Sequence, residues 1–294
     1  MDVPESGGKE MFFLPRHGWI SCGNFPFPQV FGIINLTPDS FSDGGRFSGT
    51  ESALQTACAF LDSGAFAVDA GGESTRPGSE EITAEEEKKR VIPFIRALRK
   101  ERPEAVISVD TRKAAVAAEA VEAGADIIND VSGMRFDPDM GKVMAESSAG
   151  VILMHSRGTP QNMKEERFLR YGNVTEEVGD FLNSAAERAE AYGVKKESIL
   201  LDPGLGFAKT PAQDLQLCRE AAILREKVFR PLFYAPSRKS FLKELCSETV
   251  PEKRDGATLG ILAALKLAKI EFVRVHDVGN AVMFLKTFSA ALKN

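Results

Sequence analysis

Cysteine and long apolar runs are both scarce in this chain, and each shortage removes a class of protein. Only four cysteines occur in 294 residues, Cys22, Cys58, Cys218 and Cys246, far apart and mostly in apolar surroundings. That pattern reads as buried free thiols rather than a disulfide framework or a zinc site. No stretch approaches the roughly 18 to 20 apolar residues that span a bilayer, so no membrane helix is expected. The start, MDVPESGGKE, is polar and acidic, unlike a secretion signal. A surplus of basic charge is missing too. Lysine and arginine number 37 against 42 acidic residues, a net charge of -5. That balance argues against a protein that tracks a nucleic-acid backbone, and any anion must be held by a local cluster. The expectation is a soluble protein of a reducing cytoplasm.

What is present is a repeating alternation. With 43% hydrophobic residues the chain can bury a large core, as one big domain or two ordinary ones. Short apolar or β-branched runs recur at residues 30–34, 65–69, 105–109, 126–129, 150–154, 198–201, 231–234 and 271–275. Helix signals lie between them. Thr83 with Glu86 and Thr210-Pro211 with Gln213 read as capping boxes, and Asp137-Pro138 reads as another helix start. Val178, Phe181, Leu182, Ala185 and Ala189 share one face at a period near 3.6, and Gly124 and Gly193 sit where helices should stop. Eight nearly continuous apolar strands alternating with helices describe a parallel sheet covered on both faces. An open doubly wound sheet is one solution. The count of eight, at about 35 residues per unit, favours an α/β fold of the single (β/α)8 TIM barrel type over residues 29–294. Residues 1–28 are expected to be an N-terminal extension or a barrel-closing segment.

Unusual polar residues fall at or just after the C-terminal ends of these strands. They include Asn35, Asp69, Glu73 to Arg76, Asp110, Asn129, His155, Asp202, Ser237 to Lys239 and His276. In a barrel those ends converge on one face, where active sites are built. Asp110, Asn129 and Asp202 suit a flat, nitrogen-rich heterocycle, because carboxylates accept N–H donors while an amide both donates and accepts. A carboxylate there could equally ligate a metal. Arg76, Arg274 and His276, with Thr75 and Asn35, offer the donors a diphosphate requires, and the i, i+2 relation of Arg274 and His276 points both to one face. His155 and His17 lack such partners and read as structural. Ser237 to Ser240 opens a helix whose amides, with Lys239, suit an anionic or carbonyl-bearing ring. The stretch from Asn35 to Phe47 is rich in turn chemistry and reads as a lid, and Gly71, Gly72 and Gly78 suit a second loop around Arg76.

These residues lie in blocks that resemble one known family, dihydropteroate synthase, from Val30 to Val278. The blocks are VFGIINLTPDSFSDGG, AVDAGGESTRPG, ISVDTRK, ADIINDVSG, VILMH, LLDPGLGF, SRKSF and RVHDV, in the family's order. The resemblance implies a (β/α)8 transferase of folate biosynthesis and a sulfonamide target. Its reaction condenses 6-hydroxymethyl-7,8-dihydropterin diphosphate with 4-aminobenzoate, giving 7,8-dihydropteroate and diphosphate. It also implies roles. Asp110, Asn129, Asp202 and Lys239 would hold the pterin, with Met154 packed against it. Asn35 would bind the Mg2+ that accompanies the diphosphate, and Thr75, Arg76, Arg274 and His276 would contact its oxygens. Thr75, Pro77, Phe207, Lys239 and Ser240 would line the 4-aminobenzoate site, and a homodimer through barrel helices would be in keeping. Two departures bear on the aminobenzoate side: Tyr234-Ala-Pro236 stands before the SRK block, and Ala208 follows Phe207 where the family commonly has glycine. The competing readings are a pterin-binding methyltransferase domain, against which Arg76 and the SRK and RVH groups argue, and a catalytically silent pterin binder.

Overall fold

A parallel strand flanked by helices on one side and a barrel interior on the other must be apolar on both faces, and the strands here are. The computed structural model describes residues 11–37, 46–76 and 78–292. Eight parallel strands form the barrel: β3 (Gln29–Asn35), β4 (Ala67–Gly71), β5 (Val106–Asp110), β6 (Ile127–Asp130), β7 (Gly150–Met154), β8 (Ile199–Asp202), β9 (Phe233–Tyr234) and β10 (Phe272–Val275). Neighbours from β3 to β8 pair in sequence order, and β10 pairs with both β3 and β9. Closure comes from a parallel bridge between Leu201 and Leu232, with the Leu201 amide donating to Pro231 at 3.0 Å. All eight expected strands occur within about two residues of their anticipated ends, the usual uncertainty of such boundaries. The seventh is the weakest, reduced to two residues beyond the bridge.

Side-chain alternation then sorts each strand into an outward and an inward set. Outward residues such as Val68, Ile107, Val109, Ile128, Val151, Leu153 and Val273 join the core beneath the helices. Inward residues at the lower ends form a separate apolar layer: Phe31, Ala67, Val106, Ile127, Ile152, Leu200, Phe233 and Phe272. Phe31 meets Phe233 edge to face at 4.9 Å between ring centroids. A hairpin of β1 (Met11–Leu14) and β2 (Gly18–Ser21) plugs this layer from below. It buries Phe12 and Leu14 among the lower residues. Asp126 ties the hairpin in place, accepting from Arg16 at 3.2 Å, Arg99 at 2.6 Å and the Ile107 amide at 2.9 Å.

The helix signals have mixed outcomes. Thr210 forms a complete capping box with Gln213 at the start of α7 (Pro211–Arg219). Thr83 accepts from the Glu86 amide at the start of α2 (Ala84–Glu101), but the Glu86 carboxylate turns to Arg90 at 3.2 Å, so the reciprocal half is absent. Asp137 does not cap the helix that follows it. Its carboxylate accepts from Ala114 at 2.8 Å, capping α3 (Ala114–Ala123) across the barrel rim. Gly124 and Gly193 end α3 and α6 (Val174–Tyr192) in the left-handed region as expected. The cysteines are all free thiols, but the expectation that they are buried fails for Cys246, which is exposed at the end of α9 (Ser240–Cys246), and only partly holds for Cys58. No helix among the described residues is long and apolar enough to cross a membrane.

The hairpin plug generates a stability prediction. Phe12 is fully buried against the lower layer, so Phe12→Ala should cost about 3 to 5 kcal/mol in chemical denaturation. A change below about 1 kcal/mol would mean that the hairpin does not share the barrel's cooperative core.

Candidate active site

Above the apolar layer the inward positions become polar, one step further up the same strands. Asp69 stands at the centre, buried at 1% exposure. Its Oδ1 accepts from the Ser108 hydroxyl at 2.6 Å, and its Oδ2 accepts from the Asn129 amide at 3.0 Å and from Arg274 Nη1. The same Nη1 donates to Asp110 Oδ2 at 2.7 Å. One guanidinium thus joins carboxylates from two adjacent strands. Arg274 Nε and Asn129 Oδ1 are buried with no partner. Such orphaned atoms cost about 1 to 3 kcal/mol each and mark where a ligand would bond. Asp202 completes the set from β8, its Oδ1 accepting from the Gly204 amide at 2.7 Å. Burial raises the carboxyls of Asp110 and Asp202 above their ordinary range, and Arg274 opposes the rise in both.

Arg274 requires a correction. The sequence pattern grouped it with His276 in an anion clamp separate from Asp110, Asn129 and Asp202. Arg274 lies within β10 and His276 just beyond its end. The guanidinium pairs with Asp110, a carboxylate of the other group, and with Asp69. Through Asp69, Arg274 joins Asp110 and Asn129 in one connected layer.

His276, two positions higher, faces Ser237. The Ser237 hydroxyl accepts from the His276 amide at 3.1 Å and lies 2.9 Å from Nδ1. The Ser237 hydroxyl, with one proton and two lone pairs, can serve either tautomer of the ring at Nδ1. Burial, with Arg238, Arg274, Lys239 and Arg76 nearby, lowers the imidazole to about 3, so it is neutral at physiological pH. Lys239 follows at the start of α9, its Nζ 4.6 Å from the Phe207 ring centroid. Burial, then Arg274, draws its ammonium down to about 8, against Asp202, Asp214 and Asp110. Phe207 and Met154 meet in a small apolar cluster with Val131, Met163 and Ala208. A cleft of about 240 Å³ opens beside Phe207 and Thr75, with Arg112, Arg135 and Arg157 among its walls.

The rim residues sit on loops held by buried charge. Thr75 is half-buried and Arg76 exposed on the loop after β4. Glu73 anchors that loop, its carboxylate bonded to Arg112 and Lys113, each at 3.0 Å, and to the Ile82 amide at 3.0 Å. Lys113 also pairs with the fully buried Glu87 at 2.7 Å. Pro77 and residues 38–45 of the expected lid lie outside the described residues. Ser240 is exposed at the first position of α9, and Asn35 is exposed at the end of β3. Among the described residues no three acidic, histidine or cysteine side chains converge on a metal position. Asn35 offers one hard oxygen donor, which fits Mg2+ held chiefly by phosphate oxygens and water rather than a protein cage. His17 approaches Asp126 at 3.5 Å, far from this layer.

Sequence reasoning passed over three features. Asp69 reads from the sequence only as a strand-end carboxylate, whereas Ser108, Asn129 and Arg274 all bond to it. The Glu73, Arg112 and Lys113 network is carried by two of the quoted blocks and was not read as a loop anchor. Lys209 was not singled out at all, because lysine is ordinarily a surface residue. It is fully buried and bonded to His155 at 3.0 Å.

Comparison with known proteins agrees with this geometry. The family model described as pterin binding enzyme matches residues 31–276. A dihydropteroate synthase from Synechocystis sp. is 42% identical over 261 residues, covering 89% of both chains. One from Bacillus subtilis is 41% identical over 264 residues, covering 90% of this chain and 88% of the relative. The solved structure of Xanthomonas albilineans dihydropteroate synthase with 4-aminobenzoic acid superposes with a TM-score of 0.87 at 34% identity, covering 97% of this chain and 99% of that one. The chain therefore belongs to the pterin-binding enzyme family and, within it, to the dihydropteroate synthases, which are transferases.

Proposed function

We propose the following division of labour for the condensation of 6-hydroxymethyl-7,8-dihydropterin diphosphate with 4-aminobenzoate. The carrying observation is the buried polar layer with its two unpartnered atoms, Arg274 Nε and Asn129 Oδ1. An amino-pyrimidine edge supplies donors and acceptors together. Asn129, Asp202 and Asp110 receive that edge, Lys239 bonds the ring's oxygen or nitrogen acceptors, and Met154 packs on its face. Asp69 holds Asn129 and Arg274 in register from behind.

The reaction is a substitution at the pterin's methylene. Its bond to the diphosphate oxygen breaks, the electron pair leaves with the diphosphate, and positive charge spreads into the pterin. Carboxyl groups of Asp69, Asp110 and Asp202 stand around the ring, and their negative charge, where ionised, favours the electron-poor intermediate. At the rim, His276, with Arg76 and Thr75, meets the departing oxygens. Asn35 is the residue that would hold Mg2+, which when bound offsets charge on the diphosphate. The aniline nitrogen of 4-aminobenzoate attacks the methylene from the side of Phe207, Thr75 and Ser240, forms the C–N bond and then loses its extra proton. Neither His276 nor a carboxylate needs to act as a strong base. The compartment in this reading is the cytoplasm, which the four free thiols support.

The direct test supplies both substrates and Mg2+ to the purified protein and follows dihydropteroate and diphosphate, with Arg274→Ala as the control. Product that is lost in the variant is the expected result; pterin binding without turnover would favour the silent-binder or methyltransferase alternative. Asp202→Asn keeps an oxygen for the Gly204 amide but loses the charge. It should weaken pterin binding by about 10- to 100-fold in calorimetry while the protein stays folded. The pH profile of kcat/KM follows from the charges. Lys239 loses its proton as the pH rises through about 8, so activity should fall on that alkaline side. Because His276 is neutral down to about 3, it contributes no limb near its ordinary 6.5. An acid limb near 6.5 that disappears in His276→Gln would contradict the assignment.

A further inference from the structure

Lys209 is among the largest fully buried side chains of the protein, and nothing in the proposed reaction uses it. Its Nζ donates to Gly204 O at 2.9 Å and Phe207 O at 3.0 Å, and lies 3.0 Å from His155 Nδ1. Burial draws the Lys209 ammonium down to about 7, with Asp214 and Asp202 opposing the fall; in the protonated form its three hydrogens match these three acceptors. Burial, with Lys209, Arg157 and Arg135, holds the His155 ring below its ordinary range, and a neutral ring protonated at Nε2 presents its Nδ1 lone pair to the ammonium. The His155 amide in turn donates to Asp202 O at 2.9 Å, joining this site to the strand that carries the pterin carboxylate.

These bonds hold a loop that would not keep its shape unaided. Between Asp202 and Lys209, three residues have positive φ: Gly204 at 68°, Gly206 at 82° and Ala208 at 48°. Ala208 carries a Cβ in the left-handed region, at a cost of about 1 to 2 kcal/mol. Gly204 is pressed so closely on His155 that an added Cβ would lie 2.0 Å from its carbonyl oxygen. Further bonds close the loop from outside. The Gly206 amide donates to Asp214 at 2.8 Å, and the Tyr171 hydroxyl donates to Ala208 O at 3.0 Å. The residue displayed by this folded loop is Phe207, whose ring stands over Lys239 and borders the cleft.

We propose that Lys209 is a positioning residue for the aniline substrate: its ammonium group clamps the loop of residues 203–208 so that Phe207 forms one wall of the aminobenzoate site. The inference rests on the placement of Phe207 given above. Lys209 touches neither substrate, and it acts through the two carbonyls it binds. The clamp also accounts for an alanine at position 208. A loop held at Gly204, Phe207 and Ala208 by separate hydrogen bonds tolerates the strain of a single left-handed residue.

The test is a double-mutant cycle of Lys209→Met and Phe207→Ala, read in the KM for each substrate. Lys209→Met should raise the KM for 4-aminobenzoate by about tenfold and that for the pterin by less than about twofold. The double variant should be no worse than Phe207→Ala alone within about twofold, since one effect passes through the other. Effects that multiply, or equal shifts for both substrates, would overturn the proposal and leave Lys209 a stability residue only. Unchanged kinetics in Lys209→Met beside a shifted Phe207→Ala would overturn it as well. An unchanged KM for 4-aminobenzoate in Phe207→Ala would remove the placement of Phe207 itself, and the inference with it. Should Lys209→Met fail to fold, Tyr171→Phe releases the same loop at Ala208 with one hydroxyl lost. It should raise the same KM by about two- to fivefold, and an unaltered KM there counts against the clamp.

Discussion

One buried carboxylate, Asp69, organises the functional layer. It has no water to solvate it, so its charge must be met by protein donors. Ser108, Asn129 and Arg274 meet it from three different strands. A carboxylate so surrounded directs its neighbours as much as it is stabilised by them. Asn129 can donate to Asp69 only with its oxygen turned away, which leaves Oδ1 free. Arg274 can reach Asp69 only by lying across the barrel, which brings Asp110 within 2.7 Å and leaves Nε unpaired. The unpaired atoms are a consequence of that arrangement, and their unmet hydrogen-bonding capacity is the chemical property of the site.

The rim is governed by the same rule applied to loops. Loops over a barrel mouth have few apolar contacts to fix them, and here buried polar side chains replace those contacts, as an ion-pair network around Glu73 and as backbone-carbonyl bonds from Lys209. Glu73 with Arg112 and Lys113 secures the loop bearing Thr75 and Arg76, while Lys209 secures the loop bearing Phe207. Breaking a buried pair by removing one partner typically costs about 3 to 5 kcal/mol, because the other charge is stranded. These anchors are therefore costly to lose, although none needs to touch a substrate.

The barrel was legible because its signals are local. Apolar runs at even spacing and helix punctuation survive without knowledge of tertiary contacts, and Gly124, Gly193 and Thr210 act where their chemistry says they should. Long-range partners were not legible. Asp137 caps α3, 23 residues before it, and no local pattern distinguishes that from capping its own helix. In the strands, both faces are apolar, so the alternation that points Asp69, Asp110, Asn129 and Arg274 at one another cannot be read from hydrophobicity. That Asp69 and Asp110 stand where Arg274 reaches depends on register between β4, β5 and β10. The specific motifs identified the family; which polar residues meet in the buried layer needed the geometry.

The most direct test of this account is the affinity of the pterin diphosphate for Asp69→Asn, measured by calorimetry beside the unaltered protein. Asp69 is shielded by the residues it orients, so a role confined to its own contacts would leave binding unchanged. The account predicts a loss of about tenfold or more in a folded protein, because Asn129 and Arg274 lose their common anchor. Unchanged affinity would contradict it and show that the layer keeps its arrangement without the central charge.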